Sequence, residues 1–274
     1  MTFVPESSDA AGAKGPAEGS TPSLDDLAAG LRAVTRTGAP CPTVSSRRPK
    51  LDVDAAYRIQ MINAEHRVRA GAHIAGYKIG LTSRAMQQQM GIREPDSGVI
   101  HDDTLAQTGS QLRADAYLAP RIETELAFIL GRDLAGPADL RTVRAAISEY
   151  CLAYEILDTS YGTWNITLVD SVSDNAACAG VIIGPRLPFG PDTDPRTELI
   201  TVHADGRFVA AGSGRDILGD PVLALHWLTR RRPQVRLRAG DIVLAGSVHA
   251  SLPLTPGRYH ATSSHLPAVQ LQVI

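Results

Sequence analysis

Residues 120–130 read Pro120-Arg121-Ile122-Glu123-Thr124-Glu125-Leu126-Ala127-Phe128-Ile129-Leu130, and the alternation within this run decides the fold. On a strand, side chains two apart share a face, with Cα atoms roughly 6.5–7 Å apart. Glu123 and Glu125 therefore stand together, while Ile122, Leu126 and Phe128 point the other way. From Leu126 to Leu130 the run is continuously apolar, as in a strand covered on both faces. Two carboxylates side by side there repel unless a proton or a cation lies between them. Oxygen donors of this kind suit a hard divalent ion. A solvated strand face is the favoured account of an isolated Glu-x-Glu. Glu155, inside Leu152-Ala153-Tyr154-Glu155-Ile156-Leu157, adds a third acid in apolar surroundings, where it is costly unless paired or ligating. The three acids leave the two readings evenly balanced.

Working outward, Gly76-Tyr77-Lys78-Ile79-Gly80 reads as a strand on which Lys78 alternates with apolar residues. A salt-bridged or snorkelling lysine is the plain account of it, and an ammonium aimed into a site is the functional one. Asp96, in Glu94-Pro95-Asp96-Ser97-Gly98, reads as a turn residue, and Asp174-Asn175 as a capping turn. Gly212-Ser213-Gly214 and Gly240 read as tight turns. No glycine-rich segment has dinucleotide or P-loop spacing, no serine sits in a nucleophile elbow, and the eight histidines form no ligand pair.

Two helices are expected before this strand-rich region. One starts at N-cap Ser23 and closes at Gly38; the other starts near Asp52, carries a stripe of Tyr57, Met61, Ala64 and Val68, and ends at Gly71. Short helices are expected at Ser83–Met90, around Leu140–Glu149 and from Asp220-Pro221 to Thr229, and strands at Ile122–Leu130, Leu152–Leu157, Asp241–Ala245 and Ala268–Ile274. The organisation is then a disordered Ala/Gly/Ser/Pro-rich tail (residues 1–22), an N-terminal helical unit (23–72) and a mostly β domain (73–274).

Composition narrows the function. Lys+Arg number 27 against 29 Asp+Glu, a balance that argues against a nucleic-acid partner, and the run Arg230-Arg231-Arg232 suits the negative end of a helix. Three scattered cysteines give neither a disulfide framework nor a thiolate zinc site, so a reduced, cytoplasmic setting is expected. No run approaches the ~20 apolar residues of a membrane span, and the first residues lack a basic start and an apolar run, so no secretory signal is expected.

Several stretches together resemble the 2-keto-4-pentenoate hydratases, within the fumarylacetoacetate-hydrolase-like superfamily. They are GYKIGLTSRAMQQQM (76–90), GIREPDSGVIHDD (91–103), PRIETELAFILGRD (120–133), residues 155–158, WNITLVDSVSDN (164–175) and residues 212–228. The likeness runs over roughly residues 23–260 and implies an α+β fold, a mixed β-sheet or β-roll domain beside a small helical unit. It places the metal ligands on Glu123, Glu125 and Glu155, the metal being Mg2+ or Mn2+, and it marks Lys78 and Asp96 as catalytic. The hydrolases of the superfamily add a His–Glu pair that has no counterpart here, which points away from C–C bond hydrolysis. The related decarboxylases lack an acid at the Asp96 turn, which tilts the expectation toward hydration.

The expected reaction is addition of water to a 2-hydroxy-2,4-dienoate, on a small-molecule substrate, in a homo-oligomer. A 4-oxalocrotonate-type decarboxylase and a non-catalytic partner subunit are the alternatives. The chain departs from the family pattern at His249, where relatives carry a small or hydroxyl residue, and at the turn Ser264-His265-Leu266-Pro267-Ala268. His249 is read either as a pocket residue that adds a proton carrier or as a surface residue.

Overall fold

Ile74–Gly80 (β1), Asp96–His101 (β2), Leu105–Gln107 (β3) and Ser110–Leu112 (β4) lead into the long strand Arg121–Leu130 (β5). Ile147–Leu157 (β6), Cys178–Ile183 (β7), Leu199–Ala204 (β8), Arg207–Ser213 (β9), Ile242–Ser247 (β10), Gly257–Thr262 (β11) and Val269–Val273 (β12) follow. The helices are Leu24–Ala33 (α1), Val44–Arg47 (α2), Val53–Arg69 (α3), Arg84–Met90 (α4), Leu140–Ala146 (α5), Leu168–Ser173 (α6) and Val222–Arg231 (α7). The computed structural model describes residues 21–34, 38–232 and 234–274. The tail expected over 1–22 falls outside these, apart from residues 21 and 22.

The strands build a mixed sheet in the order β2-β1-β10-β5-β6-β7-β3 and a second sheet in the order β9-β8-β11-β12-β4. Within the first, β1/β10 and β3/β7 are parallel and the other pairs antiparallel. This sheet curls until β2 meets β7. Its inner face is lined by Ala127, Ile129, Cys151, Ala153, Val181, Ile183, Ile242 and Leu244. Its outer face carries Ile122, Leu126, Phe128, Leu130, Leu152, Tyr154 and Ile156, packed against Ile200, Val202, Tyr259, Val269 and Leu271 of the second sheet. The alternation read along β5 is thus the division between the two faces.

Helix starts follow their caps: Ser23 closes a capping box on α1, Asp52 caps α3, Ser83 caps α4 and Thr167 closes a second box on α6. Other expectations shift. Helix α1 ends at Ala33, capped by Val34, and does not run to Gly38. The buried stripe of α3 is Ala55, Ala56, Ile59, Gln60 and Ala64, while Val68 is 43% exposed. Ala55 and Ala56 bury in the cluster shared with α1 and α6, and Ala64 in the core of the sheets; Tyr57 instead lies under the Arg232 guanidinium, 3.3 Å from its ring centroid. Helix α5 stops at Ala146, and Glu149 lies on β6. Gly212 lies within β9 and not in a turn, and its glycine is needed because a Cβ there would lie 2.1 Å from the Val248 carbonyl oxygen. Helices α1, α2 and α3 bury one cluster, completed by Tyr161, Ile166 and Val172 from far along the chain.

Candidate metal centre

Strand β5 turns Glu123 and Glu125 to the inner face of the curled sheet, and the antiparallel register sets Glu155 of β6 directly opposite Glu123. All three are buried, and one carboxylate oxygen from each lies within 4.8 Å of the others. Glu125 Oε2 accepts a hydrogen bond from the Gly246 amide at 2.8 Å. That amide can approach only because residue 246 is glycine: its φ is +117°, and a Cβ would stand 1.6 Å from Thr82 Oγ1. Glu123 Oε1, Glu125 Oε1 and both oxygens of Glu155 find no hydrogen-bond partner among the described residues.

Lys78 faces this cluster from β1, its Nζ 3.5 Å from Glu155 Oε1, an ion-pair rather than a close hydrogen-bond distance. Burial works against its charge, but Glu155, then Asp96 and Glu123, outweigh it and hold the proton more firmly than on an ordinary lysine. The acids around it therefore leave Lys78 a protonated ammonium and not a free amine. Burial, then the neighbouring Glu155, pushes Glu123 up to about 8. Burial followed by Glu155 and Glu123 raises Glu125 well above the carboxylate range. Glu155 is raised by burial and pulled back by Lys78.

Asp96 is not in a turn. It is the first residue of β2, paired with Gly80 at the end of β1, and it is 2% exposed. Its Oδ2 accepts from the Ser171 hydroxyl at 2.7 Å, and its Oδ1 has no partner. A Cβ on Gly80 would lie 2.3 Å from Asp96 Oδ1 and 3.0 Å from Lys78 Nζ, so both groups crowd the same glycine. Ser171 escaped the sequence reading, although the capping box that starts α6 was legible in Thr167-x-x-Asp170.

His249 is neither a surface residue nor a free proton carrier. It is buried, with Nδ1 2.8 Å from the Ala250 carbonyl oxygen and Nε2 3.0 Å from Thr124 Oγ1. A carbonyl only accepts, so Nδ1 carries the proton and Nε2 accepts from the threonine hydroxyl. Burial holds its pKa below the usual histidine value. Thr124 lies between the two glutamates in sequence but on the opposite face, so His249 braces the strand from behind. With Thr82, Ser83, Arg215 and Val248, His249 lines a cleft of about 880 Å³, so of the two expectations the pocket position holds.

Three buried carboxylates with unpartnered oxygens are costly without a cation, and an all-oxygen donor set fits a hard divalent ion. Residues 74–266 match the model of the fumarylacetoacetate hydrolase C-terminal domain. The chain belongs to the fumarylacetoacetate hydrolase family. Within that family it is 35% identical to the TodF product hydratase of Pseudomonas putida over 234 residues, 83% of this chain and 86% of that one. It is 33% identical to the 2-keto-4-pentenoate hydratase of Paraburkholderia xenovorans, over 85% of this chain and 88% of that one. Among solved structures of the family, 4-oxalocrotonate decarboxylase from Pseudomonas putida G7, complexed with magnesium and adipate, superposes with a TM-score of 0.86 at 25% identity. The superposition covers 92% of this chain and 97% of that one. No helix among the described residues is long and apolar enough to cross a membrane.

Proposed function

We propose that this chain is a divalent-metal-dependent hydratase that converts a 2-hydroxy-2,4-dienoate into a 4-hydroxy-2-oxo acid. The observation that carries the reading is the set of unpartnered oxygens of Glu123, Glu125 and Glu155, with Lys78 and Asp96 beside them. Likeness to the named hydratases supports the same reaction.

Glu123, Glu125 and Glu155 would hold the ion, magnesium or manganese. When bound, it supplies the Lewis acidity that eases loss of the enol proton and holds the resulting charge. The reaction balances as one water gained. The enol proton leaves and a proton arrives at C5, giving a 2-oxo-3-enoate; hydroxide from water then joins C4 and a proton joins C3. Lys78, kept protonated by the acids around it, is the proton donor to carbon. Asp96, held through one oxygen by Ser171, uses its unpartnered oxygen to take the proton from water. Burial of both groups excludes bulk solvent from competing for those protons.

Decarboxylation of a 2-oxo-3-enedioate is the second reading, supported by the likeness to 4-oxalocrotonate decarboxylase. The presence of Asp96 favours hydration, since a carboxylate beside the cluster activates water and decarboxylation requires none. A non-catalytic role beside a partner subunit is separated from both by assaying the purified chain alone and with that partner. A cytoplasmic homo-oligomer fits the family likeness, and light scattering measures its size.

The test follows loss of 2-hydroxypenta-2,4-dienoate absorbance with and without Mg2+ or Mn2+. Metal-dependent loss without CO2 release is expected; release of CO2 from the enedioate instead moves the assignment to the decarboxylase. Lys78→Met is expected to lower kcat at least ~100-fold with metal affinity nearly intact, and full turnover in this variant removes Lys78 from the mechanism.

A further inference from the structure

Strand β2, which carries Asp96, hydrogen-bonds to β1 alone among the described strands; its other edge faces β7 across the closing curl without pairing to it. Along an antiparallel pair, alternate residues turn both N–H and C=O away from the partner. On β2 those residues are Ser97 and Val99, and side chains satisfy their outward groups. The Ser97 amide donates to Tyr57 Oη at 3.2 Å, and the Ser97 carbonyl accepts from Gln60 Nε2 at 2.8 Å. The Val99 amide donates to Asn175 Oδ1 at 2.8 Å, and the Val99 carbonyl accepts from Asn175 Nδ2 at 2.9 Å. Two amide side chains and a phenol thus stand where an adjacent strand would be.

The backbone around Asn175 is shaped for this contact. Asn175, Ala176 and Ala177 have φ of 57°, 51° and 60°, three successive left-handed residues, a conformation that L-residues resist. Hydrogen bonds hold the bend, from the Ala177 amide to the Asp174 carbonyl and from the Asp158 amide to the Ala177 carbonyl, both at 3.0 Å. It presses on β2 so closely that a Cβ on Gly98 would lie 2.4 Å from the Asn175 carbonyl oxygen. Gln60 makes a second bond, to the Val172 carbonyl at 3.0 Å. One amide therefore joins Ser97, the residue after Asp96, to Val172, the residue after Ser171. The Ser171–Asp96 hydrogen bond lies between those two anchors.

We propose that Gln60 and Asn175 are positioning residues for Asp96: by bonding the open edge of β2 they fix the distance at which Ser171 holds its carboxylate beside Lys78. Gln60 belongs to α3, so the helical unit takes part in the site without touching substrate. The kinetic side of this claim rests on the hydratase reading; the geometric side does not.

Gln60→Met keeps the bulk and removes both donors. In this variant kcat is expected to fall at least ~10-fold while Mn2+ affinity stays within about twofold, since the three glutamates are untouched. Added to Asp96→Asn, it is expected to cause no further loss, because both changes act through one carboxylate. A crystal structure of Gln60→Met is expected to show the 2.7 Å Ser171–Asp96 contact broken. Should Gln60→Met not fold, Asn175→Gly, which keeps the left-handed backbone and loses the amide, carries the same expectations. Losses that multiply with Asp96→Asn, or a Ser171–Asp96 contact that survives, overturn the proposal. If the wild-type chain consumes no dienoate but the contact still breaks, the hydratase reading falls and the positioning role stands.

Discussion

At Glu123 the physics of the site becomes measurable without any substrate. Burial, reinforced by Glu155, lifts its pKa to about 8, far above that of the same carboxyl in an unfolded chain. A carboxyl raised on folding favours the folded state fully at low pH, and that contribution is lost as pH climbs through the folded value. Metal-free protein is therefore expected to lose melting temperature between about pH 5 and about pH 8, and Glu123→Gln to flatten that decline. Calorimetry in chelator across this range checks it, and parallel curves for the two proteins would contradict it. Added divalent cation should restore stability most at the alkaline end, where the carboxyls lose the protons that burial holds on them. Sequence revealed the three acids but not their shared orphaned oxygens, because pairing register is a long-range property: Glu123 meets Glu155 only when β5 and β6 lie antiparallel.

At the scale of elements, α6 matters beyond its six residues. Its capping box ties Thr167 to Asp170, and Asp170 also accepts from the Ser45 amide and hydroxyl at 2.8 and 2.7 Å. That anchoring orients the next residue, Ser171, at Asp96. Thr167→Ala is expected to cost about 1 kcal/mol of stability, the usual loss of an N-cap, and to lower turnover several-fold through Asp96. Chemical denaturation and steady-state kinetics measure the two effects separately; a stability loss with unchanged kcat would show that α6 holds Ser171 by other means. The cap was readable from spacing alone, whereas the strand identity of Asp96 was not. Its segment, Glu94-Pro95-Asp96-Ser97-Gly98, has the composition of a turn, and pairing with β1 overrode that local preference.

Across the whole molecule, the helical cluster and the curled sheet are not separable bodies. Tyr161, Ile166 and Val172 complete the core of α1–α3, and Gln60 reaches back to β2. A single cooperative thermal transition is expected, with circular dichroism and intrinsic fluorescence following one curve; two resolved transitions would contradict this coupling. By itself the sequence determined which residues face which side of β5, where most helices begin, and which acids and lysine are candidates. These are local matters, set by a period of two, by caps within four residues and by residue chemistry. Only the tertiary structure decided that α3 buries its alanines in place of Met61 and Val68, that His249 braces Thr124, and that amide side chains close the edge of β2. Each of those depends on partners dozens of residues away, and a contact across such a separation is chosen by packing the whole chain at once.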